Sequence, residues 1–541
     1  MLQSLFRKKP VVGEMTEDGG HGSGLHKVLN VRDLTFFGVA AIIGGGTFSA
    51  IGNACAAGGP GVVFLYIICA VACGFTALCY AEFASRVPVS GSAYTYAYVS
   101  FGELFAWIIG WALIMEYSIG NIYIAFSWSG YFTNLVPGIP EWLTTNYLDA
   151  KELGDPEAIA AWNNAPVIGD LRIIFDLPAV VINILITALV FIGTKESKHF
   201  SNAMVVIKLA IISLVILVGF FYIDMNNWEP FMPNGFGGVM AGVSAVFFAY
   251  IGFDAVSTLA EESKNPQRDL PRGMIYSLII CTVIYIILAL ILTGMVSYQY
   301  LGVDDPLAEI FKMKEIKWML WIVSIAAVVA MTSVLLVFQM GQPRIWMTMS
   351  RDGLMPKKFG NVHPRFKTPS FATIVTGFVV GVPLFFTNEK FILDFTSIGT
   401  LFAFVLVCGG VLVLPRKEKE EGKFHLPYIN SKYIFPLLLV AVYGFLIYHY
   451  PEFFKEQFNV TNENMETALP MIVFFVVCAV MMLLSFVKEF SLIPVLGLVS
   501  CCYLLTGMAW SNWKWFFVWM LIGLVFYFSY GFRKSKLTTD K

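Results

Sequence analysis

Apolar residues along this chain gather into fourteen blocks, separated by short segments rich in charge, glycine and proline. The blocks cover approximately residues 34–57, 61–85, 101–130, 178–194, 200–222, 237–262, 273–297, 317–345, 370–387, 391–414, 433–450, 469–487, 492–508 and 513–531. A helix needs about 20 apolar residues to cross about 30 Å of hydrocarbon. Each block therefore reads as one membrane-spanning helix, and the chain as an all-α polytopic membrane protein with about 14 transmembrane helices. Grouped by position, they give a polar tail (1–32), a first five-helix unit (33–222), a second (237–414), four C-terminal helices (433–531) and a closing tail (532–541).

Composition fits that reading. Of 541 residues, 57% are hydrophobic and 13% charged, with a mean hydropathy of +0.71. A soluble domain carries about 25% charge, so this chain lacks the polar surface that water requires. The net charge of −1 hides a segregation. Arg344, Arg351, Lys357, Lys358, Arg365 and Lys367 cluster between the eighth and ninth blocks. The long segment 131–177 carries Glu141, Asp149, Glu152, Asp155, Glu157, Asp170 and Asp176 against Lys151 and Arg172. By the positive-inside rule the basic cluster and the two basic termini are expected in the cytosol, and the acidic segment outside. The first residues (Arg7, Lys8, Lys9, Glu14, Glu17, Asp18, Lys27) contain no apolar run or small-residue cleavage site, so no cleaved signal peptide is expected.

Several function classes receive no support. The nine cysteines all fall inside apolar blocks and form no C-x-x-C pair or Cys/His cluster, so no disulfide framework and no metal site is suggested. The six histidines are scattered, and no nucleophile–base pattern is present. No enzyme, cofactor or nucleic-acid partner is expected.

The first block reads AAIIGGGTFSAIG over residues 40–52. Gly44, Gly45 and Gly46 fall near the expected bilayer midplane, where each glycine costs roughly 1 kcal/mol relative to alanine in a helix interior. Five blocks later, FFAYIGFDAV (247–256) places Gly252 and Asp254 mid-span again. Two interrupted helices at corresponding places in two five-helix units point to an inverted-repeat secondary transporter. Unwound backbone in hydrocarbon is tolerated only where it lines a cavity or binds something. Half-helix N-termini suit a carboxylate, and freed carbonyls suit an ammonium. A site with both is complementary to an α-amino acid. The competing reading of the glycines is close helix packing.

The residues also resemble a known group. IIGGGTF is similar to the first-helix motif of the amino acid–polyamine–organocation superfamily. CYAEFASRVPVSGSAYTYAYVSFGELFAWIIGW (79–111), VFFAYIGFDAVSTLAEESKNPQRDLPRG (246–273), GQPRIWMTMSRDGLMP (341–356) and WMLIGLVFYFSYG (519–531) resemble its cationic amino acid transporter subfamily and bacterial relatives. The resemblance implies a five-plus-five inverted-repeat core, with broken first and sixth helices, working by alternating access. Carried over by position, it puts the substrate carboxylate at the Gly44–Gly46 turn, on the amides of Gly45 and Gly46. It puts the ammonium on carbonyls of Ile43, Phe248, Ala249 and Ile251. The departure is Gly45, where relatives often carry a hydroxyl residue.

Lys208, in SNAMVVIKLAIIS, is the one basic residue deep inside a block. Intramembrane charges are functional hypotheses by default. In similar bacterial permeases a fifth-helix lysine stands in place of a sodium ion, which implies proton coupling here. Thr332 and Ser333 are expected to turn their hydroxyls toward it. The alternative is a lysine snorkelling to the inner interface. Glu116 is a deep acid that could line the substrate path or pair with a buried donor. Asp254 reads as a cap for the second half of the sixth helix. Glu82, Glu261 and Glu262 read as solvated or gate-forming.

Phe338 matches, by resemblance, the eighth-helix position facing the substrate side chain. Its bulk favours a small or neutral amino acid over arginine, Gln339 beside it argues the other way, and a lipid-facing Phe338 is the bland alternative. The expected function is proton-coupled uptake of L-amino acids across the plasma membrane. A cationic amino acid transporter or exchanger is the first alternative, and a non-transporting amino acid sensor the second.

Overall fold

A computed structural model of the protein describes residues 5–9, 27–136, 138–152, 156–169, 171–303, 305–387, 389–415, 423–449, 465–508 and 510–539. Glu14, Glu17, Asp18, Asp155 and Asp170, used above to read the charge asymmetry, lie outside these residues. Apart from a two-residue hairpin (Val167–Ile168 with Leu171–Arg172), the regular structure described is helical.

The helices used below are α1 (Val31–Ile42), α2 (Ile51–Gly58), α3 (Val62–Arg86), α4 (Ala93–Ser100), α5 (Glu103–Leu135), α6 (Leu177–Ile192) and α7 (Thr194–Phe220). They continue with α8 (Gly235–Ala241), α9 (Val243–Tyr250), α10 (Pro266–Met295), α11 (Lys317–Arg351), α12 (Ser370–Gly381) and α13 (Glu389–Val413). The last four are α14 (Ser431–His449), α15 (Met465–Lys488), α16 (Leu492–Thr506) and α17 (Trp510–Phe526). Among the described residues, eight helices are long and apolar enough to cross a membrane. A ninth candidate is a bent pair, Gly235–Ala241 with Ala245–Glu262, turned by 49°. Shorter apolar helices occupy other expected blocks, among them Leu177–Ile192 and Leu492–Thr506.

Local chemistry sets the helix ends. Asn30 and Asp33 close a reciprocal capping box at the start of α1, each backbone N–H donating to the other side chain at 3.1 Å. Asp176 caps α6 by accepting from the Ala179 amide at 3.0 Å, with Pro178 in the first turn. Two helices depart from the apolar pattern. α11 runs to Arg351 rather than stopping near 345, and Pro343 does not interrupt it. At 1.5 Å per residue it is about 50 Å long, so it projects beyond a 30 Å hydrocarbon layer. α4 is a fully buried helix in what reads as a connection.

Burial separates centre from rim. In the apolar window of α5, 94% is buried, against 11% in α14 and 22% in α15. α5 lies along α11, and α10 packs between α1 and α3, so these helices form the middle of the bundle. Leu437 and Val440 on α14 are 71% and 67% exposed. Apolar surface on that scale is what a hydrocarbon environment accepts and water does not.

One end of the bundle is tied by charge. Arg344 donates from Nε to Glu262 Oε1 at 2.5 Å, with both side chains buried. Arg351 pairs with Glu261 at 2.9 Å and Lys9 with Asp352 at 2.7 Å. Glu82 pairs with Arg86 and accepts from the Leu426 amide at 2.7 Å, so none of the three glutamates read as gate or solvated residues lacks a partner. Arg7 and Ser535, from the first and last described segments, meet at Glu103. The Glu103 carboxylate accepts from Tyr98, from Tyr527 and from Ser535 near the C-terminus, and the Glu103 amide donates to Arg7 carbonyl.

Removing one partner of a buried ion pair leaves the other charge uncompensated, at a cost of about 3–5 kcal/mol. Arg344→Met is expected to lower the thermal unfolding midpoint of the purified protein markedly. Arg344→Met with Glu262→Leu should recover much of it. A single variant as stable as wild type, followed by intrinsic fluorescence on heating, would contradict this account of the basic end.

Candidate functional site

α1 ends because Ile43 leaves the helical region, with φ −82° and ψ 98°. The chain resumes helical form through Gly45 and a wide turn over Gly46–Ala50 that leads into α2. The second interruption follows α9. Ile251 is extended (φ −59°, ψ 135°), Gly252 sits at φ +118°, and a 3-10 segment then runs from Phe253 to Glu262. The left-handed conformation at Gly252 is one that a side chain disfavours.

The two interruptions touch. A Cβ on Gly46 would lie 2.4 Å from Ala249 Cα, and one on Gly252 would lie 2.7 Å from Ala41 Cβ. Glycine at both points is therefore a condition of backbone-to-backbone approach. Between them stands Tyr285 of α10. Its hydroxyl lies 2.8 Å from the carbonyl oxygen of Ile42 and 2.8 Å from that of Ala249, and it accepts from Thr47 at 3.2 Å. One hydroxyl thus serves the last turn of both broken helices. On the far side, Phe48 carbonyl accepts from Tyr131 at 2.7 Å, and Phe248 meets Tyr123 edge-on at 4.8 Å between centroids.

Lys208 of α7 does not snorkel. Its side chain is fully buried, and Nζ donates to Ala40 carbonyl (3.0 Å), Ile43 carbonyl (2.7 Å) and Ser333 Oγ (2.8 Å). An ammonium has three donors, and all three are used. Ser333 faces the lysine as expected. Thr332 does not: it accepts from Trp128 at 2.8 Å and donates to Val328 carbonyl at 2.6 Å. Consecutive helical residues point about 100° apart, so only one of the pair can face α7.

Glu116 and Phe338 face different neighbours: Glu116 lies against Gly399 of α13, and Phe338 against α5. Phe338 is 4% exposed, its ring 5.4 Å from Tyr117 and held against Gly120, so it packs on α5 and away from lipid. Gln339 points elsewhere, donating to Asn183 on α6 at 2.7 Å. Glu116 is buried, and its Oε2 has no hydrogen-bond partner. The hydroxyls of Tyr80 and Tyr117 and the side-chain amide of Asn121 are also buried without one. Asp254 neighbours this group electrostatically. It does not cap the 3-10 segment, because the N-cap position is Gly252 and no side chain accepts there. Buried polar groups normally find partners, so this interior suits water or a polar ligand.

Ile43, Gly44, Gly45, Gly46, Phe248, Ala249 and Ile251 therefore gather at the paired interruptions, with Lys208 and Ser333 against them. Phe338 packs on α5 at Tyr117 and Gly120, Glu116 lies against Gly399 of α13, and Thr332 turns to Trp128 of α5. All of the gathered residues are buried in this conformation. Tyr285, Tyr131 and Trp128 were not legible as site residues, since tyrosine and tryptophan are frequent in membrane helices.

Comparison with known proteins agrees with the geometry. The family model described as amino acid permease matches residues 29–477, and that of the C-terminus of AA_permease matches 491–535. The chain is 38% identical to the branched-chain amino acid permease BcaP of Bacillus subtilis, over 99% of this chain and 100% of that protein. It is 40% identical to the methylthioribose transporter of the same bacterium, over 83% of this chain and 94% of that one. Against the human cationic amino acid transporter 4 it is 30% identical over 99% of this chain and 91% of the other. The family match covers most of the chain: the protein belongs to the amino acid permease family and is a transporter, not an enzyme.

Proposed function

We propose that the protein takes up L-amino acids with small or branched uncharged side chains across the plasma membrane, coupled to protons, by alternating access in a five-plus-five inverted-repeat core. On this reading all fourteen apolar blocks cross the membrane and both termini are cytosolic. The observation that carries the proposal is the contact of two interrupted helices at Gly46 and Ala249 and at Gly252 and Ala41. Four main-chain carbonyls and the first amides of a restarted helix converge there. An amino acid is the solute whose two charges match both.

The proton reading rests on the donor arithmetic of Lys208. A neutral amine has two N–H donors, whereas three acceptors surround Nζ. Loss of the proton releases one acceptor. The charged lysine is what holds both α1 carbonyls and Ser333 together, so an intact binding site and lysine protonation go together. Ala249 carbonyl is held by Tyr285 until a substrate competes for it. Similarity to a branched-chain permease supports an apolar side chain, as does the Phe338 ring beside the path.

A cationic substrate is the second reading, favoured by the unpartnered Glu116 Oε2 and by similarity to cationic amino acid transporters. Phe338 decides between them.

In proteoliposomes, alanine and leucine uptake is expected to rise when the outside is made acidic, with arginine taken up weakly. Lys208→Ala should abolish the response to the gradient. A Lys208→Ala protein that accumulated substrate as wild type does, or an absolute sodium requirement at fixed pH, would end the proton assignment. Shortening a side chain in a selectivity pocket is worth roughly tenfold or more in discrimination. Phe338→Ser should therefore raise arginine uptake relative to leucine by about tenfold. An unchanged ratio would mean that Phe338 is packing alone.

A further inference from the structure

α10 carries a cationic foot beneath an apolar track. Arg268, Arg272, Tyr276, Ile280, Val283 and Ile287 recur at three- and four-residue spacing, which places them on one side of the helix. Tyr276, Ile280 and Val283 are 48%, 38% and 52% exposed, so this side faces away from the bundle. From Arg272 to Val283 the rise is about 16 Å, close to one leaflet's share of the roughly 30 Å hydrocarbon layer.

At the foot lies a cavity of about 340 Å³ lined by Arg268, Pro271, Arg272, Lys423, Phe424 and His425. The strand of chain that closes it is fixed to the end of α3. Ser85 donates to Phe424 carbonyl at 2.8 Å, and the Leu426 amide donates to Glu82 at 2.7 Å. Arg268 pairs with Asp269 at 3.0 Å, and His425 lies 3.4 Å from Glu82, which pairs with Arg86. Arg272 has no carboxylate partner among the described residues.

We propose that this cavity binds the phosphate of an anionic phospholipid, with an acyl chain along the Tyr276–Ile287 track. Guanidinium groups match phosphate oxygens in geometry and charge, and basic pockets between transmembrane helices suit such headgroups. A soluble phosphate would satisfy the cations but leave the adjoining apolar track unused. That continuity of charge into exposed hydrocarbon-facing surface selects the lipid. The site is separate from the helix breaks and does not depend on which amino acid is carried.

The test uses the full-length purified protein and fluorescent phosphatidylglycerol or phosphatidylcholine, read by energy transfer from tryptophan. Phosphatidylglycerol should bind and phosphatidylcholine should not. Each cation near a headgroup is worth enough that Arg268→Gln with Arg272→Gln should weaken binding about thirty-fold, and Lys423→Gln alone about five-fold. Lys357→Gln with Lys358→Gln removes two cations from another part of the same end and should leave binding unchanged. Equal binding of both lipids, equal loss in the Lys357 and Lys358 control, or full displacement by millimolar inorganic phosphate would each overturn the proposal. Should the arginine variant fail to purify, Lys423→Gln, which lies outside the helix, puts the proposal to the same test.

Discussion

Main-chain polar groups cannot be left bare in hydrocarbon, where each costs several kcal/mol. Everything at the centre of this protein answers to that constraint. Two helices stop near their middles, and the carbonyls they release are met by one lysine and one tyrosine from helices that continue unbroken. Lys208 and Tyr285 therefore satisfy main-chain groups that the breaks would otherwise leave bare.

On the proposed reading, selectivity follows from what surrounds those carbonyls, with the aromatic rings of Phe338, Tyr123 and Phe248 on the apolar side. The Glu116 side is polar and incompletely hydrogen-bonded. The same scaffold thus offers two environments to a side chain. Which of them dominates is a question of volume at Phe338 as much as of charge at Glu116.

Much of this was legible in the chain itself. Apolar block length announced the helices, and three consecutive glycines and a mid-block G-F-D announced the interruptions, because each is costly in a membrane helix unless used. Lys208 stood out for the same reason. What escaped was whatever depends on rotation about a helix axis. Thr332 and Ser333 are equivalent in sequence, yet only Ser333 reaches the lysine. Asp254 resembled a cap, but the turn begins two residues earlier at Gly252, leaving its carboxylate in the first turn. Tyr285 sits in an ordinary apolar stretch, and nothing local marks it as the residue that serves two distant carbonyls. The extension of α11 past residue 345 was hidden by the assumption that a helix stops where hydrocarbon does.

That extension has a mechanical meaning. Ser333, Phe338, Arg344 and Arg351 belong to one uninterrupted rod, so the lysine contact, the aromatic wall and two ion pairs at the basic end share a single rigid body. A tilt of a few degrees about its middle displaces the far tip by ångströms while barely shifting the centre. Under the proposed alternating access, leverage of this kind would turn a small rearrangement at the breaks into the parting of charges at the end of the bundle, without any intervening chain of contacts having to relay it.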